Sequence, residues 1–317
     1  MVAALDPSFL FKLRPVTEAA ARAALDWFGR NKKEEADGEA VTAMRAALNG
    51  LGVNGRVVIG EGEKDKAPLL YRGERIGDAK GEPDIDIAVD PIEGTTNLSL
   101  GLDNSSAVIA VTPAGAMTDL GSAFYMDKFV APPPAAKAGI DPAWPVERKL
   151  KAVAEALGKP VSALRVFVLD RPRHKELIAE VYKAGAGAVR YQHGDVAGAL
   201  MALTNSGVDV LLGAGGAPEG VISAVAVKSL GGVFHGRLAP QSPEEDKKIR
   251  EQGQDPTRWY SADDLVRSDK IFFCCSSISN GPLGAAIERS AAHDRVQSLM
   301  ICGQTRSRHL ITSWLPR

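Results

Sequence analysis

Four carboxylates crowd one short run of the chain, Asp84, Asp86, Asp90 and Glu93 in D-I-D-I-A-V-D-P-I-E-G-T-T-N, Asp84 to Asn97. The first half alternates acidic and apolar residues and ends in Ile87-Ala88-Val89, the pattern of a buried strand. Pro91 cannot donate to a ladder, so the spacing predicts that the strand stops at Asp90. After Glu93, Gly94-Thr95-Thr96-Asn97 predicts a tight turn opening a helix, with free backbone N–H groups suited to a phosphate. Carboxylates beside a phosphate repel it unless divalent cations lie between them. Helix capping explains one such acid, not four on one strand and its exit. The implied chemistry is a metal-dependent phosphate site.

A second strand exit repeats the arrangement. R-V-V-I-G-E-G-E-K-D, Arg56 to Asp65, reads as a strand running into an acidic loop that carries Glu61, Glu63 and Asp65. Neighbouring strand ends bearing carboxylates are a common way to assemble a metal site. Asp37 falls at the predicted start of a helix, where an acid taken alone is ordinarily a cap. The turn Gly213-Ala-Gly-Gly-Ala-Pro218-Glu219 invites a dinucleotide reading, but proline takes the third glycine position and Glu219 would repel a pyrophosphate. A helix start with Glu219 in its first turn fits better. Arg171-Pro-Arg173-His174-Lys175 puts basic groups at a helix start, where they oppose the dipole and so point to an anion held there. Tyr125 reads equally well as a half-buried strand aromatic or as a ligand contact.

These residues need elements to hold them. Val16 to Arg30 predicts an amphipathic helix with Thr17 as N-cap, and Asp37 to Leu51 a second, broken by Asn49-Gly50. Ser106 to Val111 and Ala123 to Met126 predict two sheet strands joined by a Pro-Ala-Gly turn. Ala131 to Pro145 reads as a linker or crossover. Helices over 145–158, 173–185, 195–204 and 218–230 then alternate with strands over 164–170, 188–192 and 208–212, the signature of a βαβ sheet. Residues 243–269 read as a helix and a surface excursion. Lys270 to Ser279 and Val296 to Ser313 supply closing strands, with Gln304 to Arg308 a solvated turn. A soft boundary near 145–160 divides the chain into 1–150 and 151–317.

Composition narrows the class. The 317 residues, 45% of them hydrophobic, can bury a large core, and 38 basic against 39 acidic residues leave no charge excess for nucleic acid or a membrane surface. No apolar run is long enough to span a bilayer. The N-terminal M-V-A-A-L-D-P-S-F-L lacks a basic n-region and an apolar core, so no secretory signal is read. Cys274, Cys275 and Cys302 sit in apolar runs and read as buried, reduced thiols of a cytoplasmic enzyme.

The run Asp90 to Thr95, D-P-I-E-G-T, resembles the signature of the lithium-sensitive, magnesium-dependent sugar phosphatases. Val58 to Glu74, V-I-G-E-G-E-K-D-K-A-P-L-L-Y-R-G-E, is similar to the motif of class II fructose-1,6-bisphosphatases, in particular branches that also accept sedoheptulose-1,7-bisphosphate. Further matches run through Phe124 to Lys128, Asp170 to Ile178, His193 to Gly198 and Gly213 to Ser223, covering nearly the whole chain. The resemblance implies a sugar-phosphatase fold of layered α/β type, with an N-terminal metal domain and a C-terminal βαβ substrate domain. It implies hydrolysis of the 1-phosphate of fructose-1,6-bisphosphate, in gluconeogenesis or the Calvin cycle, by a homodimer or homotetramer. It carries Mg²⁺ or Mn²⁺ ligation to Asp37, Glu61, Asp90, Glu93 and Glu219, and a water- or phosphate-orienting role to Thr95. Glu61 or Asp65 is the partner for the proton. Substrate contacts carried over are Glu93, Gly94, Thr95, Tyr125, Arg171, Arg173, His193, Gly194, Asp195 and Gly216.

Two departures touch affinity and specificity. G-R-N-K-K-E-E-A-D, ending at Asp37, has Asn31 where the family has a glycine and Lys32 where it has an acid. His193 stands where the family usually has Asp. A superfamily phosphatase acting on inositol or aminosugar phosphates, and a non-catalytic sugar-phosphate or metal binder, are the alternatives.

Overall fold

The computed structural model describes residues 5–61 and 69–317. The chain forms two compact units, each mixed α/β. The first holds the residues up to Asp119 and resumes at Val266; the second is Leu120–Leu265. Residues 145–160, the soft boundary read from sequence, lie inside the second unit.

In the first unit α1 (Phe9–Leu25) and α2 (Lys33–Asn49) precede β1 (Asn54–Ile59), β2 (Arg75–Gly77), β3 (Asp84–Glu93), α3 (Thr95–Ser99) and β4 (Ser106–Pro113). Helix α1 starts well before Val16 and carries Pro15 inside it. Leu10, Leu13, Val16, Ala20 and Ala24 are all buried at helical spacing, and burial of that stripe outweighs the bond proline cannot make. Thr17 is therefore no cap but a fully buried mid-helix residue. Helix α2 begins at Lys33, so Asp37 stands one turn inside it and half-buried.

Strand β3 does not stop at Asp90. Its pairing with β4 slips between Asp90↔Val108 and Glu93↔Ser106, so the strand carries one extra residue there. Pro91 sits in this bulge, where a missing N–H breaks no ladder bond.

The second unit runs β5 (Tyr125–Ala131), α4 (Val146–Leu157), β6 (Arg165–Leu169), α5 (Lys175–Lys183), β7 (Gly187–Tyr191), α6 (Asp195–Thr204), β8 (Val210–Gly216), α7 (Ala217–Leu230), β9 (Val233–Leu238), α8 (Pro243–Glu251), β10 (Trp259–Ser261) and α9 (Ala262–Leu265). Its sheet has the order β10-β9-β5-β8-β6-β7, parallel across β8-β6-β7 and antiparallel elsewhere. The βαβ alternation expected of this half is present. The expected turn forms at Pro113-Ala114-Gly115, with Ala116 N donating to Pro113 O at 3.1 Å, but it does not pair the strands now seen as β4 and β5, which belong to different sheets. Helices α4 and α5 pack on the face carrying Phe129, Val166, Val168 and Leu212. Helix α6 lies against Phe167 of the opposite face, close enough that a Cβ on Gly198 would meet that ring at 2.6 Å.

The chain then re-enters the first unit as β11 (Phe272–Ser277), β12 (Glu288–Arg289), β13 (His293–Cys302) and β14 (Ser307–Pro316). The completed sheet has the order β12-β13-β11-β4-β3-β1-β2, with β14 on β13. Helix α1 packs across β4, β11 and β13. Thr17 Oγ1 meets Ser276 Oγ at 2.7 Å, and Ser276 meets Ser298 at 2.7 Å, a buried polar seam under the helix. The three cysteines are buried thiols; burial pushes the Cys274 thiol up to about 12 and that of Cys275 higher still. Among the described residues no helix is long and apolar enough to cross a membrane.

Candidate active site

In the first unit β1 and β3 run parallel from Asn54↔Asp84 to Ile59↔Ala88, with a register shift between Val57 and Ile59, so their exits leave the same edge of the sheet. One exit carries Glu61, whose N–H donates to Leu70 O at 3.0 Å; the other carries Asp90 and Glu93. Asp65, with the rest of 62–68, lies outside the described residues. The four acids of β3 divide into two kinds. Asp84 accepts from Asn54 Nδ2 at 2.7 Å. Asp86 is buried, pairs with Arg56 at 3.2 Å and accepts from the backbone of Gly115 and Met117. Both are committed to the fold. Asp90 and Glu93 instead present carboxylate oxygens within 4.8 Å of each other. Neither Asp37 nor Glu61 completes a trio of mutually close carboxylates with that pair among the described residues.

The local sequence explains this geometry. Asp90 Oδ1 accepts from Ile92 N at 3.1 Å, which fixes the carboxylate across the bulge. Gly94 has φ 83°, and a Cβ there would meet Asn104 O at 2.7 Å, so only glycine fits. Thr95 Oγ1 donates its proton to Ile92 O at 3.0 Å, which leaves its lone pairs as acceptors. Lys33 Nζ donates to Thr96 Oγ1 at 2.8 Å and ties α2, with Asp37, to α3. Lys32 is exposed and pairs with Glu35 at 2.7 Å, so its charge is answered on its own helix.

In the second unit three parallel strands release their carboxyl ends at one crest. The exit of β6 gives Arg171 and Arg173, that of β7 His193, Gly194 and Asp195, and that of β8 Gly216 and Glu219. Adjacent strands β6 and β8 lead into α5 and α7, while β7, on the far side of β6, returns through α6 to β8. Such a change of direction marks the crevice where open α/β sheets bind ligands. Tyr125 pairs with Gly216 at the same end. Arg173 donates to Ala214 O at 2.7 Å and lies 5.2 Å from the centre of the Tyr125 ring. Arg171 reaches His193 at 3.1 Å.

His174, grouped with the arginines as an anion donor by sequence, has another role. It is buried, with Nδ1 on Leu169 O at 2.7 Å and Nε2 accepting from Ala214 N at 2.8 Å. Those partners define a neutral ring, and burial holds its pKa below the usual histidine value.

The glycine run is strand, not turn: β8 continues to Gly216. Its glycines form a floor for polar side chains. A Cβ on Gly213 would lie 2.9 Å from His174 Nε2, one on Gly215 2.1 Å from Asp195 Oδ2, and one on Gly216 1.7 Å from Glu219 Oε2. Glu219 Oε2 is out of solvent with no hydrogen-bond partner among the described residues. Burial first, then the charge of Asp195, pushes its carboxyl above the ordinary glutamate value. An orphaned carboxylate oxygen is costly unless something cationic takes it. All-oxygen acidic donors suit a hard divalent ion. Sequence reasoning missed Lys128, which pairs with Asp195 and donates to Gly216 O at 2.7 Å; the available signal was a lone lysine inside the apolar strand Tyr125–Ala131.

Over residues 8–315 the sequence matches the family model described as bacterial fructose-1,6-bisphosphatase, glpX-encoded, which defines the class as a phosphatase. Fructose-1,6-bisphosphatase 1 class 2 of Escherichia coli (strain K12) is 41% identical over 312 residues, covering 94% of this chain and 92% of that protein. The class 2 enzyme of Shigella flexneri matches with the same identity and coverage. The chain belongs to the bacterial class 2 fructose-1,6-bisphosphatases.

Proposed function

We propose that this chain hydrolyses the 1-phosphate of fructose-1,6-bisphosphate to a sugar monophosphate and phosphate, with Mg²⁺ or Mn²⁺. The observation that carries this reading is the 41% identity to the Escherichia coli class 2 enzyme across 94% of the chain. Asp37, Glu61, Asp90, Glu93 and Glu219 hold the cations. When bound, these supply charge neutralisation at the phosphate and leaving oxygens and acidify a water. Thr95, its own proton given to Ile92 O, would accept from the attacking water and orient it. Glu61 or Asp65 takes the proton. Gly94 lets the backbone approach the cleaved phosphate.

The far phosphate needs its own donors, and Arg171 and Arg173 serve it. Arg173 is held in place by Ala214 O and the Tyr125 face, so little ordering remains to be done on binding. His193, Gly194, Asp195 and Gly216 contact the sugar. A seven-carbon sugar reaches the same arginines, which extends the activity to sedoheptulose-1,7-bisphosphate. The enzyme works in the cytoplasm as a homo-oligomer of sugar-phosphatase fold, in gluconeogenesis or the Calvin cycle.

Phosphate release from fructose-1,6-bisphosphate, sedoheptulose-1,7-bisphosphate, inositol monophosphate and p-nitrophenyl phosphate, each with and without Mg²⁺ or Mn²⁺, tests the reading. Metal-dependent release that favours the bisphosphates is expected. Preference for inositol monophosphate, or no release at all, would remove it.

A further inference from the structure

Lys128 is 2% exposed in the middle of β5, between the fully buried Phe129 and the half-buried Asp127. Taking an ammonium out of water costs several kcal/mol, and a buried pair seldom adds stability over apolar residues of the same volume. The chain nonetheless keeps a charge there and clears space for it. Gly215 lacks a side chain where a Cβ would lie 2.1 Å from Asp195 Oδ2 and 3.1 Å from Lys128 Nζ. The ammonium has two partners, Asp195 Oδ2 and, at 2.7 Å, Gly216 O. One is the first residue of α6, just beyond the exit of β7; the other is the last residue of β8.

We propose that Lys128 is a positioning residue for sugar recognition, a buried clamp that fixes Asp195 and the Gly216 carbonyl relative to each other. The assignment rests on the sugar-contact role proposed above for these two residues. Lys128 itself touches no substrate. Its ammonium engages one Asp195 oxygen and turns the other oxygen of that carboxylate toward a sugar hydroxyl. The same contact orients the last peptide of β8, opposite Tyr125. Lysine supplies this because its three donors can serve a carboxylate and a carbonyl at once.

The test is a double-mutant cycle on the purified full-length chain with Mn²⁺, using Lys128→Met, Asp195→Asn and the pair together. Lys128→Met is expected to raise KM for fructose-1,6-bisphosphate about tenfold, with kcat within about threefold and a clearly smaller loss on p-nitrophenyl phosphate. In the Asp195→Asn background the same change should add clearly less than tenfold to KM, because only the contact with the Gly216 carbonyl is then left to lose. If Lys128→Met does not fold, the charge-free pair against Asp195→Asn alone still decides. A further tenfold loss in the pair, or equal losses on both substrates, would show a role in the fold and overturn the assignment. Wild-type protein that does not hydrolyse fructose-1,6-bisphosphate overturns the functional reading and the clamp together; normal wild-type turnover with KM unmoved by Lys128→Met overturns the clamp alone.

Discussion

Glu219 lies directly over Gly216, so close that a Cβ on the glycine would sit 1.7 Å from Oε2. The glycine is there for the carboxylate, not for the backbone, whose φ of −65° and ψ of 140° any residue adopts. Gly216→Ala should therefore leave the thermal midpoint within a few degrees while displacing Glu219. Activity at fixed Mn²⁺ should fall at least about tenfold, in the range of a disturbed metal ligand. Paired melting curves and metal titrations check this; full activity at low Mn²⁺ would mean that Glu219 holds no cation.

Asp90→Asn keeps an oxygen to accept from Ile92 N, the bond seen at 3.1 Å, and so keeps the bulge. It removes the negative charge. Turnover should be abolished, a barrier increase of roughly several kcal/mol, with the melting curve intact. Wild-type rates at ordinary metal concentration would sink the role assigned to Asp90.

Arg173→Ala removes the far-phosphate donor that Ala214 O and Tyr125 hold in place. kcat/KM for fructose-1,6-bisphosphate should drop by about 2–3 kcal/mol, the value of a charged hydrogen bond. Hydrolysis of p-nitrophenyl phosphate, which has one phosphate, should be spared. Parallel losses on both substrates would place Arg173 at the cleaved phosphate or in the fold.

His174 gives stability a pH dependence. Its ring is neutral when folded, with a pKa lowered by burial, while the unfolded chain binds a proton near the ordinary histidine value of about 6.5. The unfolded state thus holds more protons as pH falls below that value, so this contribution is complete above it and is lost toward the folded pKa. Urea midpoints measured from pH 7.5 to pH 5 should decline, and His174→Gln should flatten that decline. An equal slope in both proteins would assign the effect to other groups.

Lys32 serves as a control. Its partner is Glu35, at 2.7 Å on the solvent side of α2. Lys32→Asp should leave the half-saturating metal concentration unchanged, and a shift of more than about threefold would show that its charge is felt at the metals.

Much of this was legible from local pattern. Helix and strand periods alternate cleanly after residue 145, and α6 spans 195–204 as its sequence predicts. Spacing placed acids at two strand exits and arginines at a third. What stayed hidden depends on tertiary contact. A helix start at Val16 with Thr17 as its cap holds only until the buried stripe on both sides of Pro15 is seen. Pro91 looks like a strand end unless β4 is known to tolerate a bulge. The Gly213–Gly216 run resembles a loop because the polar side chains that need its bare floor come from other elements. Lys128 has its partners 67 and 88 residues away. Asp84 and Asp86 read like ligands until Asn54, Arg56 and the Gly115 amide claim them.

The passage of the chain out of the first unit at Asp119 and back at Val266 orders its birth on the ribosome. Strand β4 is paired on one side by β3 and on the other by β11. At roughly 5–20 residues per second of synthesis, the wait from Pro113 to Phe272 is on the order of ten to thirty seconds. During it the apolar edge of Val108–Val111 has no second neighbour, while Leu120–Leu265 emerges whole. The part begun second is finished first, and the older part closes only when the last strands arrive. Loss of the C-terminal strands therefore leaves the nascent chain with an open, hydrophobic sheet edge, a template for aggregation even though its acidic motifs are intact.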